Sequence, residues 1–215
     1  MHTTADRFAG FHDIVTSSDG VKTVIGEPMS QVVAKVTDHL DDLCRSFISK
    51  SPFCLIASSN PDGQIDVSPK GDPVGFVQVL DDNHLAIPDR PGNRRVDTFH
   101  NLTRDPRLGI IFIIPGKNET LRVSGEARIV RDEELRQTMA VNGKMPDLAL
   151  VVYVERVFMH CSKCMVRSKI WQPEAWPDSS DTPTISEAMI KHGNLKITPE
   201  ELRAEAERTD TLKLY

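Results

Sequence analysis

The chain has 215 residues, 39% of them hydrophobic and 27% charged, and its formal net charge is −5. These values predict one globular domain with short appendages, and they argue against nucleic acid and anionic membranes as partners, because such partners bind surfaces with excess positive charge. No apolar run approaches the ~20 residues of a membrane span, and the N-terminal M-H-T-T-A-D-R-F lacks the apolar core of a secretory signal.

The first fifty residues divide into an arm and a helix. Residues 1–28 have weak periodicity and a turn at Ser18-Asp19-Gly20, so we predict an irregular arm. From Met29 to Lys50 apolar residues recur at spacings of three and four, which predicts one helix with a single apolar stripe. Pro52 follows the predicted helix and ends it, since proline disfavours helix in the residue before it.

Two hairpins come next. Phe53–Ser59 is a buried strand by its composition, Asn60-Pro61-Asp62-Gly63 fits a type I turn, and Gln64–Pro69 is the return strand. A second hairpin pairs Gly75–Leu80 with His84–Ile87. These two hairpins account for four predicted strands.

The rest of the predicted domain alternates strands with short helices. Strands at this spacing predict a closed β-barrel rather than a parallel α/β sheet. The predicted elements are a helix around Arg95–Asn101, strands Arg107–Ile114 and Leu121–Val130, a helix from Asp132 to about Val141, and a strand Ala149–Met159.

Beyond Trp176 the chain becomes polar and rich in turn residues. Pro177–Pro183 is a predicted linker, and Thr198-Pro199-Glu200-Glu201 is a helix start with Thr as the cap. The final helix, Leu202 to about Arg208, is highly charged. The predicted organisation is an arm at 1–28, a barrel domain at 29–176, and a linker with a helical tail at 177–215.

Three cationic side chains, Lys70, Arg94 and Arg95, lie within two hairpin strands of one another. Guanidinium groups bind phosphate dianions in bidentate fashion, and Asn93 can donate hydrogen bonds to the same oxygens. By residue type alone, solvated surface cations are the more frequent case. The Pro- and Gly-containing loop Asp89–Asn93, directly after a strand, favours an anion site instead.

The stretch from Asp66 to Arg95 begins D-V-S-P-K-G-D and ends D-R-P-G-N-R-R. It resembles the flavin-binding core of the pyridoxamine 5'-phosphate oxidase superfamily, the FMN-binding split β-barrels. The resemblance covers roughly residues 30–176 and implies a mainly β split barrel with peripheral helices. It also implies an FMN-dependent oxidoreductase that acts on a small organic substrate. The pattern that grips the substrate phosphate of the vitamin B6 oxidase itself is absent, so the resemblance is to other bacterial members.

The resemblance assigns cofactor contacts to the first hairpins. Ser68 and Pro69 would run beside the isoalloxazine ring and Lys70 would approach the flavin. The basic pair would hold the phosphate, while core packing explains Ile87 as well as a ribityl contact does. The implied residues in this region are Ser68, Pro69, Lys70, Ile87, Pro88, Asn93, Arg94 and Arg95.

Later parts of the chain add four further candidates. Arg122, in L-R-V-S-G-E-A, matches a strand position that contacts the flavin, with a surface arginine as an equal alternative. Arg167, Ser168 and Trp171 match a segment that closes over the flavin of a second subunit, which implies a homodimer. Their alternative is an ordinary subunit interface, where Trp and Arg are enriched.

His160, Cys161 and Cys164 form a C-x-x-C motif with a neighbouring imidazole. We expect no metal there, because structural zinc takes four ligands and no second motif supplies them. The other two cysteines, Cys44 and Cys54, do not complete a disulfide framework. The sequence therefore predicts reduced thiols and a cytoplasmic location.

No residue stands out as a catalytic acid or base, and no Ser-His-Asp set, H-E-x-x-H, P-loop or G-x-G-x-x-G occurs. Two alternatives to an enzyme remain open: a flavin or haem sensor of the same fold, and a zinc-stabilised interaction protein. The sequence also leaves open a deazaflavin in place of FMN, and NADH or NADPH as the electron donor.

Overall fold

The computed structural model describes residues 7–209 and 214–215, and the chain divides into two compact units at Lys35/Val36. The first unit contains helices α1 (Ser18–Ile25) and α2 (Ser30–Ala34). The Ser17 side chain accepts a hydrogen bond from the Gly20 N–H at 3.0 Å. The predicted turn at residues 18–20 is therefore wrong: it is the first turn of a capped helix.

The single helix predicted from Met29 to Lys50 is also wrong. A separate helix, α3, spans Asp42–Ser49, and the Asp41 carboxylate caps it by accepting from the Cys44 N–H at 2.8 Å. Before this cap, Thr37 and Val157 exchange backbone hydrogen bonds of 3.0 and 2.7 Å. Extended pairing at Thr37 is incompatible with a continuous helix.

The second unit is built on one seven-stranded sheet in which every strand pair is antiparallel. This confirms the mainly β fold, with peripheral helices around a split-barrel sheet. Within the described residues the hydrogen-bonded order starts and ends at different strands, so the sheet is open rather than closed. The strands are β1 (Phe53–Ser59), β2 (Ile65–Gly71), β3 (Gln78–Val79), β4 (His84–Pro88), β5 (Arg107–Ile113), β6 (Thr120–Val130) and β7 (Ala149–His160), in the order β2-β1-β5-β6-β7-β4-β3.

The first predicted hairpin is confirmed and the second is shorter than expected. β1 and β2 pair from Phe53↔Gly71 to Ser59↔Ile65, and Gly63, at φ +78°, closes the turn by donating to the Asn60 carbonyl. In the second hairpin β3 has only two residues. The preceding segment turns instead, because the Phe76 N–H bonds the Pro73 carbonyl at 3.2 Å.

The larger of two buried hydrophobic clusters includes residues of the sheet, and α3 packs into it through Phe47 and Ile48. Phe112 and Ile56 from neighbouring strands are fully buried there. At Gly125 the β6–β7 register shifts by one residue, and a Cβ at this position would lie 1.9 Å from the Tyr153 carbonyl oxygen. This close approach requires glycine.

Five short helices surround or follow the sheet. The Asp132 cap predicted before the fifth helix is confirmed, as is the Thr198 capping box that starts the last one. The seventh helix was not predicted, although Thr184 and Glu187 form the same type of box. Within the described residues no helix has the length and apolar character needed to span a bilayer. The helices are α4 (Asp97–Leu102), α5 (Glu133–Thr138), α6 (Lys163–Ser168), α7 (Ile185–Gly193) and α8 (Pro199–Arg208), with a 3-10 turn at Pro173–Ala175.

Candidate functional site

A cavity of about 850 Å³ lies between strand β2, the loop that follows β4, and the start of α4. Residues 144–147 and Tyr215 complete its wall. This volume is in the range of small-molecule and cofactor sites. Six of the residues predicted from the sequence line it together: Ser68, Pro69, Lys70, Asn93, Arg94 and Arg95.

Strand β2 forms one side of the cavity. Its side chains alternate in burial, so Ser68 and Lys70 are half-buried on one face while Pro69 is exposed on the other. The Lys70 ammonium lies 5.8 Å from the centre of the Phe99 ring, which belongs to α4. The lysine is thereby held at the cavity wall with its charge available to an anion.

A buried amide joins α4 to the first hairpin. Asn101 is 4% exposed, and its side-chain Nδ2 donates to Asp66 Oδ2 at 2.6 Å and to Ser58 Oγ at 3.1 Å. Ser58 lies on β1 and Asp66 on β2. These bonds fix the helix, and the loop that leads into it, against the edge of the sheet.

The loop between β4 and α4 has an unusual backbone. Arg94 has φ +60° and Val96 has φ +47°, both in the left-handed region. A β-branched residue such as valine is rarely found there, and such conformations cost on the order of 1–3 kcal/mol. The strain shapes the loop so that residues 93–96 line the cavity.

The two neighbouring arginines have different surroundings. The Arg95 guanidinium pairs with Asp97, and the backbone N–H of Arg95 donates to Asn93 Oδ1 at 3.0 Å. The Arg94 guanidinium forms no hydrogen bond or ion pair with any residue in the described ranges. Arg94 and Lys70 are therefore the cations best placed to receive a phosphate, which is the donor chemistry that FMN requires.

Asp89 adds a carboxyl group that the sequence did not single out. It lines the cavity, and burial raises its pKa, with Asp147 adding to the rise and Lys70 opposing it. A partly buried acid with a raised pKa is typical of sites that bind or transfer protons. Asp89 is the candidate for that role here.

A second set of contacts lies beside the cavity and includes two of its lining residues, Arg90 and Tyr215. The Arg90 guanidinium bonds Asp72 at 2.5 Å and the Met139 carbonyl at 2.9 Å. The Tyr215 hydroxyl donates to the other oxygen of Asp72, and this bond raises the pKa of the phenol. None of these residues was predicted, because the contact joins positions 143 residues apart.

The other predicted residues do not line the cavity. Ile87 is 2% exposed and belongs to the main core, and Pro88 pairs with Ala149 at the end of β4. Core packing therefore accounts for Ile87. Arg122 lies over the Phe158 ring on the sheet, with 5.3 Å between the guanidinium carbon and the ring centre.

The segment predicted to act on a second subunit lies apart from its own cavity. Arg167 and Ser168 are exposed at the end of α6, and the Trp171 indole N–H donates to the Lys117 carbonyl at 2.9 Å. Lys117 belongs to the turn between β5 and β6. The indole is thus anchored to the sheet of its own chain.

Cys161 and Cys164 are exposed and free, whereas Cys44 and Cys54 are buried and free. Across the part of the chain that is described, no three His, Cys, Asp or Glu side chains are grouped so that they could hold a metal ion.

An open antiparallel sheet with peripheral helices and a cavity at its edge, lined by Lys70 and Arg94, is the architecture of a split-barrel protein. A family model described as pyridoxamine 5'-phosphate oxidase matches residues 40–161, which is more than half of the chain. The chain therefore belongs to the pyridoxamine 5'-phosphate oxidase family.

The chain is also similar, at low identity, to several solved structures. HupZ from Group A Streptococcus is 19% identical, with 55% of this chain and 92% of that chain covered and a TM-score of 0.47. A Clostridium acetobutylicum protein related to general stress protein 26, of the pyridoxinephosphate oxidase family, is 14% identical (54% and 83% covered, TM-score 0.40). An F420 reductase is 17% identical (54% and 94% covered, TM-score 0.39). No curated protein matches the chain.

Proposed function

We propose that this protein is an FMN-dependent oxidoreductase that acts on a small organic molecule. The observation that carries the proposal is the cavity of cofactor size beside β2, which is lined by Lys70 and by Arg94, a residue without an acidic partner among the described residues. Family membership supports the same conclusion, since the matched region contains every one of these residues.

In this proposal Arg94 and Asn93 hold the phosphate, and Lys70 lies beside the flavin ring with Ser68 and Pro69 of β2. FMN supplies the transfer of hydride or electrons, while the chain supplies position, charge and shelter from water. Asp89 lines the same cavity, and burial raises its pKa, so it is the candidate group for proton transfer beside the cofactor.

The proposal includes a homodimer. Arg122, Arg167, Ser168 and Trp171 lie away from the cavity of their own chain, so any contact with flavin would be made to the partner's cofactor. The outer face of β2 supports association, since Ile65 is 67% exposed and Val67 is 60% exposed. The free thiols agree with the proposed cytoplasmic location.

The test is to identify what the native, untagged protein carries. A yellow preparation that releases FMN on denaturation, identified by mass spectrometry, is the expected result. Mass also separates FMN from a deazaflavin or haem. Reduction by NADH or NADPH followed by reoxidation by a substrate would distinguish an enzyme from a store. A colourless protein that binds no added FMN would overturn the proposal.

A further inference from the structure

Tyr215, which lines the cavity, contacts neighbouring residues through three chemically different groups. Its hydroxyl donates to Asp72 Oδ1, its ring centre lies 5.9 Å from the Arg90 guanidinium carbon, and its main-chain oxygen accepts from Lys144 Nζ at 2.9 Å. A hydroxyl, an aromatic face and a carbonyl are thus recognised at once. This is how a protein binds a small aromatic ligand.

Asp72 is the buried part of this arrangement. Its side chain is 2% exposed, and Arg90 Nε binds its Oδ2 at 2.5 Å. Its Oδ1 therefore has a fixed direction and accepts the hydrogen bond from the Tyr215 hydroxyl. Removing that donor would leave a buried carboxylate oxygen without its partner, which is costly in a protein interior.

Arg90 and Lys144 complete the recognition of a ring and an oxygen. Arg90 is held by Asp72 and by the Met139 carbonyl, so its guanidinium presents a fixed cationic surface to an aromatic face. Lys144 is exposed and reaches the occupant from the opposite end. The three side chains are set for a molecule with a hydroxyl at one end and an oxygen acceptor at the other.

We propose that Asp72, Arg90 and Lys144 form a binding subsite for a hydroxylated aromatic molecule, and that Tyr215 occupies this subsite as an internal ligand. The inference deepens the proposed function and rests on it in one respect: the subsite opens into the cavity proposed for FMN, so its ligand class is the substrate class. A tethered occupant competes at a high effective concentration. Removing Tyr215 should therefore raise the affinity for an external ligand.

The experiment titrates N-acetyl-L-tyrosinamide into the full-length protein by calorimetry, in the wild type and in Tyr215→Ala. The variant should bind the amide at least ~10-fold more tightly than the wild type, a change of 1.4 kcal/mol. N-acetyl-L-phenylalaninamide, which lacks the hydroxyl, should bind the variant at least ~10-fold more weakly than the tyrosine amide, because a site built for a hydroxyl rejects the analogue without it.

Leu214→Ala is the matched control, since Leu214 is 76% exposed and its neighbour Tyr215 is retained. It should behave as the wild type. Tyr215→Phe removes only the internal hydroxyl and serves if Tyr215→Ala does not fold. Lys144→Gln, combined with Tyr215→Ala, should weaken binding of both amides.

Failure of the subsite to bind the tyrosine amide in Tyr215→Ala, or equal binding of the two amides, would overturn the inference. FMN affinity is measured separately on the same proteins. Loss of FMN binding with hydroxyl-dependent amide binding would reject the proposed function and keep the subsite. Normal FMN binding without hydroxyl-dependent binding of the amide would reject the subsite and keep the proposed function.

Discussion

Arg94 and Arg95 are adjacent in sequence, but within the part of the chain that the structure describes Arg95 has an acidic partner, Asp97, and Arg94 has none. A guanidinium that is already paired with a carboxylate must break that ion pair before it binds a phosphate. Part of the free energy of phosphate binding is therefore lost. Arg94 has no such ion pair to break within the described residues. The residue that matters for FMN is therefore expected to be the first of the pair.

Arg94→Ala should weaken FMN binding by roughly 10- to 100-fold, because charge-assisted hydrogen bonds contribute about 1.5–3 kcal/mol and 1.4 kcal/mol is tenfold. Arg95→Ala should have a smaller effect. Equilibrium titration followed by flavin fluorescence measures both. Arg94→Lys keeps the charge but loses bidentate geometry, so its affinity should fall between wild type and Arg94→Ala.

Riboflavin, which lacks the phosphate, is the control ligand for these variants. Its affinity should change little in either. Equal losses of riboflavin and FMN affinity in Arg94→Ala would show that the arginine does not recognise the phosphate.

The four thiols differ in environment, and this gives a second prediction for individual residues. Burial raises the pKa of Cys44 and of Cys54 to about 12, whereas Cys161 and Cys164 are exposed. Only a thiolate attacks a disulfide reagent. At mildly alkaline pH the native protein should therefore react rapidly at two cysteines, and at all four only after unfolding.

Thiol titration with an aromatic disulfide reagent, read by absorbance, measures this difference. The buried pair should stay unreactive until the protein unfolds, because burial raises the pKa of both thiols and shields them from the reagent. A Cys161→Ser/Cys164→Ser double variant should lose the rapid phase. Rapid reaction of this variant would contradict the assignment.

Among the elements, the β6–β7 pair depends most on a single position. The sheet is continuous across Gly125 only because the Tyr153 carbonyl occupies the space where a side chain would begin. The register shift at this point allows both halves of the long strands to pair. A bulge of this kind also increases local twist.

Gly125→Ala should lower the free energy of unfolding by about 1–3 kcal/mol, the range for overpacked sites. Gly109→Ala is a close control, because Gly109 lies on the neighbouring strand β5 and a Cβ there meets nothing within 4 Å. Its stability should stay the same or rise slightly, since glycine in a strand interior is destabilising. Thermal or denaturant unfolding measures the stability of both variants. Equal losses of stability in Gly125→Ala and Gly109→Ala would contradict the close approach of the Tyr153 carbonyl to Gly125.

Elements that depend on local pattern could be predicted from the sequence. The first hairpin follows from alternation and from Asn60-Pro61-Asp62-Gly63, and α8 follows from its capping box. The helix from Met29 to Lys50 could not be predicted correctly, because its apolar spacing continues across the break. Leu43, which fits that spacing, is 74% exposed.

The candidate site also has one part that local sequence indicates and another part that only the fold brings together. The residues from Ser68 to Arg95 that line the cavity are close in sequence, and their chemistry points to one anion. Asp72, Arg90 and Tyr215 come together only through the fold, and no local spacing relates them. The pairing of Arg95 with Asp97 was also beyond the sequence, since rotamers and the φ of +60° at Arg94 decide which guanidinium is free.

For the whole molecule, the main prediction concerns assembly. Trp171 is anchored by its indole N–H to the Lys117 carbonyl of its own chain, and we expect its ring to lie over the flavin of a partner subunit. An aromatic ring is a suitable cover for a flavin, because the two can stack. If the partner's flavin lies under this ring, cofactor binding depends on dimerisation.

Diluting the protein until it dissociates should therefore release FMN, and Trp171→Ala should weaken FMN binding. Analytical ultracentrifugation with absorbance detection measures the mass of the protein assembly and, at the flavin wavelength, the cofactor that sediments with it. Trp171→Phe keeps a ring and removes only the bond to Lys117, so it should retain more affinity than Trp171→Ala. A monomer that keeps its FMN would contradict this arrangement.

The open sheet also has a consequence for aggregation. A sheet that does not close leaves two strand edges, and such edges can recruit strands from other molecules. Here β2 carries Pro69, which has no N–H to offer, and β3 is only two residues long. Proline and very short edge strands are recognised protections against edge-to-edge growth. Fibril-like stacking is thus discouraged at both edges, and any stable contact between copies should form through the faces of the sheet.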